Sequence, residues 1–261
     1  MSPFDQPAAD FMSAPVATIH PESALADAER RLTEGAHSCL AVVGDDGRLC
    51  GVLSRTDILR IGRLRAGLAD EPRLLAMPHQ TVRMKMIHDV VTADPTTPLR
   101  AVAAAMVQRS IHRIFVIENG RPVGVVSTRD LMQAIIKARV SEPLARWMSS
   151  PVVTVDATDS IATATDLLHR SHVRGVVVVD QGWPVGLFTQ TEALAAAELD
   201  SSTQVEEVMS CALLCLPPNL PLFRAAAFAV KSQARRVLAV ASREVQGILS
   251  GLDMAHVVAN H

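Results

Sequence analysis

The apolar positions of the chain fall into helical stripes and short continuous runs, and this order returns four times. Leu25, Ala28 and Leu32 share one helical face, the apolar run 40–43 follows, Asp45-Asp46-Gly47 makes a turn, and residues 49–53 return as a second strand. A second helix is expected from Thr56. The same succession is read in Leu99, Val102, Met106 with strands 114–117 and 123–126 about the turn Glu118-Asn119-Gly120. It is read again in Ile161, Ala164, Leu168 with strand 176–179 and the turn Asp180-Gln181-Gly182, and in Leu222, Ala226, Val230 with strand 237–240. A short extended piece such as 16–19 precedes each first helix. Ser23, Thr97-Pro98, Asp159 and Pro221 are the expected helix starts. Each unit therefore reads as β-α-β-β-α, its two longer strands forming an antiparallel hairpin, and the fold class as α/β (α+β).

A motif sits at a fixed place in every unit. Gly124-Val125-Val126-Ser127-Thr128-Arg129-Asp130 has the form Gly-x-x-Ser-x-x-Asp, repeated as Gly51, Ser54, Asp57, as Gly186, Thr189, Glu192 and as Gly247, Ser250, Asp253. Upstream, Met12, Met86, Met148 and Met209 stand at almost constant distance from the acid, each followed by Thr18, Thr92, Thr154 or Cys215. The repeats so defined cover residues 11–65, 84–138, 146–199 and 206–259. The longest connection, broken by Gly62, Gly67, Pro72 and Pro78, follows repeat 1, and repeats 1 and 2 are expected to pair, as are 3 and 4.

Composition narrows the function. With 261 residues, a net charge of −2 and a pI near 6.5, nothing points to nucleic acid or an anionic membrane as the main partner. The run Arg60, Arg63, Arg65 reads as a solvated helix face. No apolar stretch suits a membrane span, and Asp5 and Asp10 stand where a secretory signal would be basic, so a cytoplasmic protein is expected. Cys39, Cys50, Cys211 and Cys215 make no disulfide framework, and Cys211-x-x-x-Cys215 with His256 is too weak a pattern for a metal site. His169 and His172 read as surface or packing residues of one helix, no phosphate loop is present, and no nucleophile is paired with a base, so no catalysis is expected.

The Ser-x-x-Asp unit at a strand-to-helix junction has two readings. One is a capping box, in which hydroxyl and carboxylate satisfy the first amides of the helix. The other is a mononucleotide pocket: the acid suits vicinal ribose hydroxyls, while Ser or Thr, open helix amides and nearby cations suit a phosphate. The glycine before each strand end, which admits a close neighbour, favours the second reading. So do His112-Arg113 in repeat 2, Arg174 in repeat 3 and Arg235-Arg236 in repeat 4. With no Tyr, six Phe and two Trp, a base would lie between aliphatic residues such as Val125 and the segment at Thr92.

The repeat resembles the cystathionine β-synthase (CBS) domain, from Phe11 to Ala255, and repeat 2, with His112-Arg113-Ile114-Phe115-Val116-Ile117 ahead of the Gly124 to Asp130 motif, is similar to repeats of the γ subunit of AMP-activated protein kinase. The resemblance implies two pseudo-twofold Bateman modules and a regulatory protein without catalysis, which binds AMP, ADP or ATP between paired repeats and signals to a protein target. No cofactor is required, and Mg would come only with the nucleotide. The implied ligand residues are Thr18, Ser54 and Asp57; Thr92, His112, Arg113, Ser127 and Asp130; Thr154, Arg174, Thr189 and Glu192; and Arg235, Arg236, Ser250 and Asp253. Repeat 1 departs with Ser38-Cys39 in the cation positions, repeat 3 with Glu192 and repeat 4 with Cys215, so unequal sites are expected, that of Asp130 strongest and that of Glu192 weakest. The alternatives are an interaction module that uses the motif only for capping, and a sensor of S-adenosylmethionine, NAD or a cyclic dinucleotide. Assembly stays open between one chain closing a disc and two chains stacking as a homodimer.

Overall fold

The structure is a computed structural model that describes every residue except 1, 36, 62, 65–74, 172 and 197–198, with the backbone alone at 63, 64, 75 and 76. Arg65 of the basic run, Gly62, Gly67 and Pro72 of the connection, and His172 lie outside the described residues.

Four repeats of one element order are present. Repeat 1 is β1 (Thr18–Ile19), α1 (Leu25–Glu34), β2 (Cys39–Val43), β3 (Leu49–Ser54) and α2 (Arg55–Ile61). A short antiparallel pair, β4 (Arg63–Leu64) with β5 (Leu75–Ala76), follows and was not foreseen from the sequence. Repeat 2 is β6 (Thr92–Ala93), α3 (Leu99–Gln108), β7 (Arg113–Glu118), β8 (Arg121–Ser127) and α4 (Thr128–Ala138). Repeat 3 is β9 (Thr154–Asp156), α5 (Ile161–Arg170), β10 (Gly175–Asp180), β11 (Trp183–Thr189) and α6 (Gln190–Ala195). Repeat 4 is β12 (Cys215–Leu216), α7 (Leu222–Ser232), β13 (Arg236–Ala241), β14 (Glu244–Ser250) and α8 (Gly251–Asn260). Each repeat makes its own three-stranded sheet. Its short first strand runs parallel to the middle one. The hairpins β2–β3, β10–β11 and β13–β14 are antiparallel, and each slips register by one residue beside the motif glycine.

A one-turn 3-10 helix leads into every repeat: Ala8–Asp10, Val82–Met84, Leu144–Arg146 and Val205–Glu207. Its buried residue, Ala8, Val82, Leu144 or Val205, stands four positions before the repeat's Met, a periodicity the sequence reading missed. These lead turns dock on the other repeat of the pair. Leu25 donates its amide to Gln80 O at 3.0 Å and Val82 donates to Ser23 O at 2.9 Å; Leu222 donates to Glu142 O and Leu144 to Leu220 O in the same manner. The amides at 99 and 161 bond Gln6 O and Thr203 O likewise. The partner's backbone thus satisfies the first amide of each long helix, which corrects three expected starts. Ala24, Pro98 and Pro221 occupy the N-cap position and offer no side-chain acceptor. In repeat 3 the cap is Ser160, whose hydroxyl accepts from Thr163 N, while Asp159 instead takes the amide of Asp156.

The chain divides into two compact units, Met1–Phe11 with Thr97–Arg113 and Val126–His261, and Met12–Thr96 with Ile114–Val125. This division cuts through repeat 2, because α3 and α4 pack on α8 and α7 within the larger unit. Ala103, Ala134, Ala225, Ala226, Ala229 and Ala255 of these helices are all buried, and small side chains let helices approach closely. Val230, expected inside, is half-buried, and Ala229 takes the deeper place. In the smaller unit Leu25, Ala28, Leu32, Leu40, Val42 and Leu53 form the core with Val82 and Met86 of the docked lead segment.

The hairpin turns differ in cost. Gly47, Gly120 and Gly182 take φ near +80°, a region glycine enters freely. Repeat 4 has no glycine there, and both Ser242 (φ 53°) and Arg243 (φ 68°) are left-handed. A left-handed residue with a Cβ costs about 1–2 kcal/mol, so Arg243→Gly is expected to raise stability by about 0.5–1 kcal/mol net of the entropy glycine adds to the unfolded chain. An unchanged or lowered midpoint in urea denaturation would refute this.

Candidate ligand-binding clefts

The motif hydroxyl and acid close on each other in all four repeats. In repeat 2 the amide and Oγ of Ser127 both donate to Asp130 Oδ2, at 2.7 and 2.6 Å, in a full capping box for α4. Ser250 and Asp253 repeat this at 2.6 and 2.6 Å, and Ser54 and Asp57 at 2.9 and 2.5 Å. Thr189 makes the same box with Glu192, amide to Oε2 at 2.9 Å, so the extra methylene of Glu does not break the cap. The capping reading is therefore correct as far as it goes. It uses one carboxylate oxygen.

The second oxygen is seen best in repeat 4. Asp253 Oδ1 accepts from Ser149 Oγ at 2.9 Å, and Ser149 belongs to repeat 3. Ser149 and Ile248 also exchange both backbone hydrogen bonds, at 2.8 and 3.0 Å. The lead segment of repeat 3, from Met148, is thus laid against β14, which ends at Ser250 and leads into Asp253 on α8. The converse holds at the other strand: Leu187 and Ser210 exchange bonds at 2.9 and 2.9 Å, laying the segment from Met209 against β11, which ends at Thr189 and leads into Glu192 on α6. In the smaller unit Val52 pairs with Ile87 and Val125 with Ser13. Both expected pairings, 1 with 2 and 3 with 4, are present, and each is reciprocal.

This exchange corrects two sequence readings. The motif glycines do receive a close neighbour, but it is protein. A Cβ on Gly247 would stand 2.4 Å from Met148 Sδ, one on Gly186 2.2 Å from Met209 Sδ, one on Gly51 2.7 Å from Met86 Sδ and one on Gly124 2.1 Å from Met12 Sδ. Met and Gly, two fixed points of the repeat, are halves of one contact. Residues also combine across the pair, where the sequence reading grouped them by repeat. The segment that runs to Thr154 starts beside the strand of Ser250, and the segment that runs to Cys215 starts beside the strand of Thr189, so the two departures from the motif, Cys215 and Glu192, fall on the same side of the exchange. Thr18, Thr92, Thr154 and Cys215 are each the exposed first residue of the short strand, opposite Ala41, Phe115, Val177 and Leu238. Val125, expected to flank a base with Thr92, has its backbone on Ser13.

The cations of repeats 2, 3 and 4 do not stay in separate pockets. Arg174 donates to His112 Nδ1 at 2.9 Å and to Ser110 O at 2.6 Å, and Arg236 donates to Arg174 O at 3.2 Å. Burial, then Arg174, Arg113, Arg236 and Arg235, push the His112 imidazole down to about 4. It is neutral at pH 7 and accepts at Nδ1. Burial likewise lowers the Arg236 guanidinium, with Glu192 acting in the opposite sense. Arg236 also covers Gly175, where a Cβ would meet its guanidinium carbon at 3.5 Å. Repeat 1 contributes none of these cations. There, Thr18 lines a groove of about 380 Å³ with Arg31, Gly35 and His37, and Arg31 donates to Thr18 O at 2.9 Å.

The remaining candidates are dispersed. Cys211 and Cys215 are free and exposed, while His256 packs edge-on against Trp147 at 5.9 Å between ring centroids. His169 ends α5. Among the described residues no helix is long and apolar enough to cross a membrane.

Comparison with known proteins agrees with the repeat. The model of the CBS domain family matches residues 8–63, 82–137 and 143–198, and the chain belongs to that family. Repeat 4 lies outside those matches yet has the same element order and cap. A CBS domain-containing protein of Bacillus subtilis, YhcV, is 32% identical over 41% of this chain and 79% of its own length. An uncharacterized protein of Methanocaldococcus jannaschii, MJ1404, is 22% identical over 72% of this chain, which spans only 47% of that protein. The fold is shared with M. jannaschii MJ1225, described as a candidate archaeal homolog of g-AMPK, at 16% identity and TM-score 0.76 over 96% of this chain and 99% of that one.

Gly247→Ala is expected to destabilise the larger unit by about 1–3 kcal/mol through overpacking. The loss should shrink in a Met148→Ala background, since residues in contact are not additive. Equal costs in both backgrounds, measured by a double-mutant cycle in urea, would mean that the glycine is required for some other reason.

Proposed function

We propose that the chain is a non-catalytic sensor of adenine nucleotides, which binds AMP, ADP or ATP in the clefts between paired CBS repeats and passes the bound state to a protein partner. The observation that carries this reading is the second oxygen of Asp253. It is turned out of the cap toward the lead segment of repeat 3, where it holds a serine hydroxyl, and vicinal ribose hydroxyls can take that place. Family membership and the cluster of Arg174, Arg235, Arg236 and Arg113 about His112 support a phosphate on the ligand. Asp130 and Asp57 are assigned the same ribose role. A ligand that spans two repeats favours one arrangement of the pair, which is what a switch needs. Aliphatic walls, few aromatics and the absence of a nucleophile–base pair among the described residues favour binding over catalysis. A cytoplasmic location goes with this reading.

The sites are proposed to be unequal, for a reason sharper than the repeat-by-repeat comparison. The cleft of Thr154 and Asp253 keeps the full motif, while that of Cys215 and Glu192 departs at both ends and has Glu192 beside Arg236. Asp253→Ala is expected to weaken AMP and adenosine alike at one site by about 10- to 150-fold, the loss of a charge-assisted hydrogen bond of about 1.5–3 kcal/mol. Glu192→Ala should leave AMP affinity unchanged. Calorimetric titration with stoichiometry checks both. If Asp253→Ala binds as the parent does and only melts earlier, the acid is a cap alone and the interaction-module reading holds. A thermal-shift series with S-adenosylmethionine, NAD and cyclic dinucleotides separates the adenosyl ligands.

A further inference from the structure

His112 stands among cations yet acts as an acceptor. Its Nδ1 takes a hydrogen bond from Arg174, its backbone carbonyl takes the amide of Thr128 at the start of α4, and Arg236 is tied to the carbonyl of Arg174. The charged groups about it come from every neighbouring element. Arg113 follows it on β7, Arg174 precedes β10, and Arg235 and Arg236 stand at β13. From α6, Glu192 acts on Arg236. From α4, Arg129 is turned to Val230 O and Asp130 is in its cap with Ser127. A second proton donor cannot be accommodated at Nδ1 while Arg174 points at it. Protonation of that nitrogen and release of the Arg174 guanidinium are one event.

We propose that an anion bound at this cluster brings a proton with it onto His112, so that Arg174 is released toward the anion and affinity rises as the pH falls. The inference rests on the phosphate reading of the cluster and adds a regulator to it. In the free protein the four guanidinium groups oppose an imidazolium, and the ring stays neutral down to about pH 4. A dianion among them reverses the local field and favours the charged ring. One proton moves from solvent to Nδ1, and the Arg174 hydrogen bonds to Nδ1 and to Ser110 O are exchanged for bonds to the anion. The sign follows from linkage: the bound state holds more protons than the free state between the two imidazole values, so acid strengthens binding there and has no effect above the higher of them.

The test uses sulfate, a dianion across the whole range, so that the ligand itself does not titrate. The His112 ring resonance of the full chain is followed by NMR against pH with and without sulfate, and sulfate affinity is measured by calorimetry between about pH 4 and pH 7. The expected result is a His112 midpoint raised by at least about one unit when sulfate is bound and an affinity rising by up to about tenfold per pH unit below that midpoint. His112→Asn, which keeps an acceptor for Arg174 but cannot titrate, should remove the pH slope. A His112 midpoint that sulfate does not move, or an affinity independent of pH, overturns the proposal and leaves the nucleotide reading standing. If sulfate does not bind, this proposal falls; if AMP, ADP and ATP also fail to bind, the proposed function falls with it.

Discussion

The contact on which the pair depends is a thioether laid on a glycine. Each repeat sends its Met across to the motif Gly of its partner, and nothing larger than hydrogen fits beneath the sulfur. Because the contact is reciprocal, it fixes two registers at once: Ser149 on Ile248 and Ser210 on Leu187 in one pair, Ser13 on Val125 and Ile87 on Val52 in the other. Everything said of the clefts follows from that register. The same crossing carries the lead turns, whose carbonyls take the first amide of the partner's helix. An isolated repeat would leave its Met exposed and its first long helix short of an acceptor, so the pair is the smallest unit in which the backbone is satisfied.

The exchange also settles how the motif acid can serve two ends. A carboxylate that caps a helix with both oxygens would have nothing left for a ligand. Here the cap bonds run to Oδ2 at Asp57, Asp130 and Asp253. The partner's lead segment then decides what meets the other oxygen, as Ser149 does at Asp253. At Asp253 the cap and the bond across the pair use different oxygens of one side chain.

Much of this was legible in the sequence. The stripes Leu25, Ala28, Leu32 and Ile161, Ala164, Leu168 are buried as their period requires, and the four Ser/Thr-x-x-acid pairs form the expected caps. What was not legible is what crosses between repeats. Gly124 and Gly247 show in the sequence that something must come close, but not that it is Met12 and Met148, since the two members of the contact lie in different repeats and no spacing within one repeat links them. Helix starts were misplaced at Ser23 and Thr97 for the same reason: local capping rules assume that a helix finds its acceptor nearby, and Leu25 and Leu99 find theirs in the partner. At Asp159 the local cap exists one residue later, at Ser160. The constant step from Ala8, Val82, Leu144 and Val205 to the four Met residues was the available signal for the lead turn.

Reassigning residues across the pair changes what degeneracy means. Read repeat by repeat, Cys215 spoils the fourth unit and Glu192 the third, and each would retain half a site. Read across the contact, the two substitutions fall on one side of the exchange and leave Thr154 with Asp253 intact on the other. Arg236 fits the same division, since its charge is drawn toward Glu192 and its donor to Arg174 O. Under the proposed function, a cleft in which Glu192 already offsets the charge of Arg236 has less to gain from a nucleotide than one whose acid takes a serine hydroxyl. Under the proposed function, asymmetry of this kind within a symmetric frame would give one ligand two different affinities for a pair, and so a direction in which binding would tilt it.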